Sequence, residues 1–241
     1  ALTVTLFGES HGAYIGATLD GLAPGMSVDA DNIRRMLFLR APRGNISTAR
    51  HEADEVQIVS GAVDGVTTGT PLTLLIKNGD TKSGDYAVMK TVMRPSHADY
   101  PARCKYHGFQ DTRGGGHFSG RLTAPLCFAG AVCGQILERR GIYTGAHIAS
   151  IHGIQDDAFS RTKVTKEDIL EVREKDFPVR NDAQGEKMKE DIRNASHGGE
   201  SLGGIIECVT INMPAGVGSP IFEGLENTIA QLIFGIPAVK G

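Results

Sequence analysis

Apolar residues alternate with small or polar ones from Leu2 to Phe7 and again from Tyr14 to Leu19. That period of two predicts strands. Val56–Val59, Leu72–Ile76, Ile142–Ile151 and Gly204–Asn212 read the same way. A helical period runs through Met36 to Leu39, capped by Asp29 or Asp31 and bounded by Pro42. Leu122 to Arg140 is a longer and mostly apolar helix, with Pro125 near its start and Gly141 just past its end. Thr165-Lys166-Glu167-Asp168 has the form of a capping box opening a helix to about Lys175. Helices at Asp182–Ala195 and Leu225–Phe234 complete the set.

Strands and helices are mixed without a uniform βαβ repeat, and no linker divides the chain. The expectation is one α+β domain over residues 1–241, with glycine-rich functional loops. Trp is absent and the formal net charge is −3, which argues against a stacking or generic polyanion-binding surface, hence against nucleic acid.

The charge is unevenly placed. Arg34, Arg35, Arg40, Arg43 and Arg50 occupy a stretch without an acid from Asn32 through His51. Lys90, Arg94, Arg103, Lys105, Arg113 and Arg121 form a second group against Asp99 and Asp111 alone. Two arginine clusters on an acidic chain suit a small, multiply anionic ligand, because guanidinium forks match carboxylate and phosphate. A solvated basic face is the bland alternative, strongest for Arg34 and Arg35. The four cysteines show no metal spacing, and Cys127 and Cys133 read as buried core thiols. No apolar run reads as a membrane span, so the expectation is a cytoplasmic protein.

Three constellations carry chemistry. Gly8-Glu9-Ser10-His11-Gly12 turns sharply at a strand end and holds an acid, a hydroxyl and an imidazole. Arg94-Pro95-Ser96-His97-Ala98-Asp99-Tyr100 sets a second imidazole beside a rigid Pro turn. Asp111 to Arg121 places Gly114-Gly115-Gly116 before the long helix, where backbone N–H groups, Ser119 and Arg121 make a phosphate cradle. Neither a P-loop nor a dinucleotide fingerprint is present, which disfavours a generic nucleotide-binding protein.

Gly8–Gly12, Ser47-Thr48-Ala49-Arg50, Thr67-Thr68-Gly69-Thr70-Pro71, Arg94–Tyr100 and Arg113–Thr123 occur in an order that resembles the chorismate synthases. Asn78-Gly79-Asp80 with Asp85-Tyr86, and the ending Ile236-Pro237-Ala238-Val239-Lys240-Gly241, fit the same pattern. The resemblance implies a lyase of the shikimate pathway that forms chorismate and phosphate from 5-enolpyruvylshikimate-3-phosphate, a substrate with two carboxylates and one phosphate. It implies reduced FMN as cofactor, with NADPH as reductant in some relatives, and no metal. It further implies a layered β-α-β sandwich of antiparallel sheets and helices, assembled as a homotetramer.

By motif position, His11 would protonate the departing phosphate with Ser10 beside it, and His97 would serve the reduced flavin. Arg94 and Arg121 would hold substrate anions or the flavin, with Arg40, Arg43 and Arg50 closing over the phosphate. His117, Phe118 and Ser119, with Pro237 and Ala238, correspond to the FMN-contacting segments. His51, His107, His147, His152 and His197 read as surface or structural residues.

The family often has Arg-Ser-Ser-Ala-Arg-Glu-Thr where this chain has His117 to Thr123; Ser119, Arg121 and Thr123 agree. The resemblance also implies further sheet, further flavin ligands and a catalytic acid beyond the Pro-Ala-Val-Lys-Gly segment. The expectation is a chain lacking that C-terminal part. The competing reading is a non-catalytic, anion-binding or oligomer-forming scaffold.

Overall fold

The computed structural model describes all residues except 1, 43, 45, 48–51, 80–87 and 90. In chain order the elements are β1 (Thr3–Gly8), β2 (Tyr14–Asp20), α1 (Ala30–Arg40), β3 (Val56–Ser60), β4 (Ala62–Val63), β5 (Val66–Thr67) and β6 (Leu72–Lys77). They continue with α2 (Asp99–Lys105), α3 (Thr123–Glu138), β7 (Tyr143–Ile151), β8 (Ile154–Gln155), α4 (Lys166–Arg173), α5 (Asp182–His197), β9 (Gly204–Ile211) and α6 (Leu225–Phe234). Two short 3-10 segments, Arg113–Phe118 and Gly120–Leu122, precede α3.

Contacts group the chain into two compact units, and the division falls inside α3. One comprises Ala1–Ala41, Arg50–Cys133 and Gly218–Gly241; the other comprises Pro42–Ala49 and Gly134–Val217. No composition shift marks that boundary, which is why the sequence reads as one α+β domain.

The first unit is built on an antiparallel sheet of order β1-β2-β6-β3. Its two central strands carry the strictest alternation. Register places Ile15 opposite Ile76, Ala17 opposite Leu74 and Leu19 opposite Leu72, and all six are fully buried. Burying each large aliphatic side chain contributes roughly 1.5–3 kcal/mol. Gly16 faces Phe7 across the strands, and any Cβ there would meet the phenyl ring. Asp29 is the cap of α1, its carboxylate accepting from the amides of Asp31 at 2.9 Å and Asn32 at 3.1 Å. The helix stops at Arg40 because Ala41, preceding Pro42, is driven into the extended region.

The sequence reading misses two small features here. Asp64 and Gly65, both at positive φ, close a two-residue hairpin between β4 and β5. α2 follows the turn at Pro95; Pro101 lies in its first turn, where a missing N–H does no harm.

The second unit carries the sheet β8-β7-β9 with α4 and α5. The capping box at Thr165 and Asp168 forms as expected. His147 is buried and clamped by carboxylates on both ring nitrogens: Asp156 lies 2.8 Å from Nδ1 and Glu207 lies 2.7 Å from Nε2. Of the two bland readings of this residue, the structural one is correct.

Two further expectations need correction. Cys127 and Cys133 are half-buried rather than core residues, while Cys104 and Cys208 are exposed. The helical segment Gly120–Glu138, at 19 residues, is long and apolar enough to cross a bilayer, contrary to the reading of the sequence. Ala124, Phe128, Ala131 and Val132 along it are buried in protein, as in a core helix.

Candidate active site

β1 ends at Gly8, whose φ of +96° lets the chain fold into the turn that carries Ser10 and His11. The turn is closed by the Gly12 amide donating to Glu9 at 3.0 Å. Ser10 is fully buried and His11 is 7% exposed. A reactive-looking loop therefore lies inside the protein.

What covers it is the glycine run. Gly114, Gly115 and Gly116 all have positive φ, a succession that residues with a side chain rarely adopt. Gly114 rests on the His11 ring: a Cβ there would stand 2.5 Å from Cδ2, 2.6 Å from Nε2 and 3.0 Å from Ser10 Oγ. Gly116 accepts the Ser10 amide at 3.0 Å. The loop expected to cradle a phosphate thus also seals the acid turn. Asp111 is the carboxylate whose field reaches His11. Arg113 grips it with two nitrogens and, together with the His11 charge, holds its carboxyl below the usual range although burial works the other way.

Behind the turn runs a chain of buried polar contacts. Arg121 is 6% exposed. Its Nε donates to Asn78 Oδ1 at 2.9 Å, Nη1 pairs with Asp54, and Glu52 lies 3.9 Å from Nε. Asp54 also accepts from Arg40 Nη2 at 2.6 Å, so one buried carboxylate joins two guanidiniums. Arg40 Nη1 reaches Thr123 Oγ1 at 3.4 Å, while its Nε is buried without a partner among the described residues.

Arg94 makes a fork onto Asp99, Nε to Oδ2 at 2.9 Å and Nη2 to Oδ1 at 3.0 Å. That fork holds the Asp99 carboxyl below its usual range. Nη2 of Arg94 also lies beside Gly115, 3.7 Å from where a Cβ would stand. His97 is exposed on the turn before α2, and its Nδ1 donates to the Pro95 carbonyl at 2.9 Å. Ser96 beside it has φ +60°, a strained value for a residue with a side chain.

His117, Phe118 and Ser119 share a cavity of about 350 Å³ with Phe234 to Lys240, Pro237 and Ala238 among them. Leu6, Leu122 and Leu126 line it as well. His117 Nδ1 donates to the Gly8 carbonyl at 2.9 Å, tying the cavity wall to the strand end that leads into the acid turn.

A family model described as chorismate synthase matches residues 2–241. The chain belongs to the chorismate synthase family. A chorismate synthase of Korarchaeum cryptofilum is 42% identical over 243 residues, and one of Pyrococcus abyssi is 43% identical over 240. The whole chain is aligned in both cases, and it spans 66% and 65% of those relatives. A crystal structure of a chorismate synthase superposes with a TM-score of 0.78 at 28% identity, covering all of this chain and 67% of that one. The α+β architecture of helices and antiparallel sheets is that of the family.

Among the site residues expected from the chorismate synthase resemblance, one compact unit holds Ser10, His11, Arg40, Arg94, His97, Arg121 and the cavity-lining set. Arg43 and Arg50 lie outside the described residues, as does Asp85-Tyr86. The residues that sequence reasoning missed as partners are Asp54, Glu52 and Asn78, whereas Asp99 and Asp111 stood within the quoted motifs without their pairing being read. Asn78 was visible only as part of a motif. Asp54 is one acid of the Glu52-Ala53-Asp54-Glu55 stretch, and no periodicity sets it apart.

Proposed function

We propose that this chain carries a chorismate synthase site for the 1,4-anti elimination of phosphate from 5-enolpyruvylshikimate-3-phosphate. In that reaction the C–O bond to phosphate breaks, a ring proton is lost and a C=C bond forms. The observation that carries the reading is the joining of a buried Ser–His turn, two guanidiniums and an amphipathic cavity within one compact unit.

His11 suits the general acid. Its ring is held against Gly114 in a turn that is almost wholly buried, and an imidazole is the side chain suited to give a proton to a departing phosphate oxygen near neutral pH. Arg40 and Arg121 supply positive charge in a water-poor setting, and Arg40 Nε, without a partner among the described residues, is a donor suited to a phosphate oxygen. Ser10 Oγ lies against the same glycine, Gly114, as the His11 ring.

The cavity residues fit reduced FMN: Leu6, Leu122, Phe118 and Phe234 offer apolar surface for a flat ring, and His117, Ser119, Thr123 and Lys240 offer polar contacts. When bound, reduced FMN would supply transient electron density to the substrate. Of the chain's own groups, His97 would hold and exchange a proton at Nε2 toward it. The same reading carries a cytoplasmic homotetramer, with FMN reduced by NADPH or by an external reductant.

Isothermal titration of reduced FMN with and without the phosphorylated substrate tests this. The expected result is flavin binding that tightens when substrate is present. Equal affinity in both arms, or no binding in either, would overturn the proposal and favour a non-catalytic scaffold.

A further inference from the structure

Asn78 stands between the acid turn and the Arg121 guanidinium, and both ends of its amide are committed. Nδ2 donates to the carbonyls of Glu9 at 3.0 Å and Gly12 at 2.8 Å, the residues that flank Ser10 and His11. Oδ1 accepts from Arg121 Nε at 2.9 Å. Its own backbone amide donates to Ala13 at 3.1 Å, and the residue is 8% exposed.

The partners leave no freedom in the amide's orientation. Flipped, it would set N–H groups against a guanidinium that only donates, and an oxygen against two carbonyls that only accept. No other side chain meets this demand at this length. Aspartate keeps the oxygen for Arg121 but has no donor for either carbonyl; serine has one donor for two acceptors; glutamine is a methylene too long for the same three distances.

We propose that Asn78 is a positioning residue for the reaction assigned above, on which reading this inference rests. It clamps the turn that presents Ser10 and His11 and ties that turn to Arg121, and through Asp54 to Arg40. The acid and the anion-holding guanidiniums are thereby kept in one geometry. The cause is local: two carbonyls at a turn cannot satisfy each other, and a buried neutral amide is the group that can bridge both while accepting from a cation.

Residue-resolved amide hydrogen exchange on the ligand-free chain reads this directly, because the Gly12 amide closes the turn. In Asn78→Asp, exchange at Gly12 and Ser10 should quicken by at least about tenfold, while Leu19 and Leu74 in the central strands stay unchanged. Arg121→Lys cuts the Nε–Oδ1 bond from the far side and should quicken Gly12 by about threefold. If Asn78→Asp does not fold, Arg121→Lys decides alone. Gly12 exchange within about twofold of wild type in every variant that folds would overturn the role.

A kinetic arm separates positioning from mere structure: Asn78→Asp should lower kcat with KM held within about threefold, whereas a raised KM at constant kcat would overturn it. The ligand-free exchange comparison stands even if the assigned reaction is wrong. Slowing of Gly12 exchange in the wild type on adding the phosphorylated substrate is the arm that tests that assignment.

Discussion

Gly114 lies flat against the His11 imidazole, closer than any residue with a Cβ could approach. The contact explains why a glycine run follows Arg113. Backbone has to pass over a ring that is itself buried, and each of the three glycines uses a positive φ to do so. Gly114→Ala should therefore displace His11 rather than merely strain the loop. A stability loss of about 1–3 kcal/mol is expected from the backbone conformation alone, read by denaturant unfolding. Turnover should fall by about two orders of magnitude or more. A variant with wild-type stability would mean the loop relaxes at no cost.

The two histidines should separate by phenotype. His11→Ala should lower kcat about 10²–10⁴-fold and leave binding of the phosphorylated substrate nearly intact, as expected for a lost general acid. His97→Ala should instead change the absorbance of bound reduced FMN or its pH dependence. Stopped-flow absorbance and phosphate release measured on both variants would distinguish them; matched behaviour would contradict the assigned division of labour.

Asp54 is the hinge of the guanidinium pair. Removing it in Asp54→Ala leaves Arg40 and Arg121 side by side without their shared counter-charge. Breaking a buried pair in this way costs about 3–5 kcal/mol. Asp54→Asn, which keeps an acceptor oxygen, should cost less. Equilibrium unfolding in urea checks the order, and a loss below about 1 kcal/mol for the alanine variant would show that the arginines find other partners.

The carboxylates around His147 make the second unit acid-sensitive. Burial would push the Asp156 carboxyl up, but the amides of Arg180, Asn181 and Asp157 and the His147 ring more than offset it and hold it low. Glu207 is likewise held low against its burial, by His147, the Phe159 amide and the Arg180 charge. Groups with lowered folded pKa values contribute stability that is complete above their unfolded values, about 3.9 and 4.3. They lose it as pH falls through the lower folded ones. His147→Leu removes the ring that both carboxylates contact, so the acid-induced loss should begin at a higher pH than in the wild type. Unfolding followed between pH 3 and pH 7 measures the onset, and an unmoved onset would show that the backbone amides suffice.

Much of the architecture was legible in the chain because it rests on local chemistry. Ile15, Ala17 and Leu19 announce a buried strand face by alternation, Asp29 and Thr165 announce helix starts by their side-chain oxygens, and Leu225–Phe234 is bounded by glycines. The motif residues His11, Arg94, His97 and Arg121 stood out by type and order. Less visible were the β4–β5 hairpin, hidden in a glycine-rich stretch although Asp64-Gly65 signals it, and α2, masked by its own proline.

By itself, then, the sequence determined the fold class, the strand faces and which residues are candidates for the chemistry, since period, capping and motif order are properties of neighbours along a chain. Only the tertiary structure decided which acids serve which arginines, that Gly114 lids His11, and that His117 and Pro237 share a cavity. Those outcomes depend on residues far apart in the chain. They are settled by desolvation: a buried guanidinium or amide must find a partner wherever the fold brings one, and nothing in the local sequence says which.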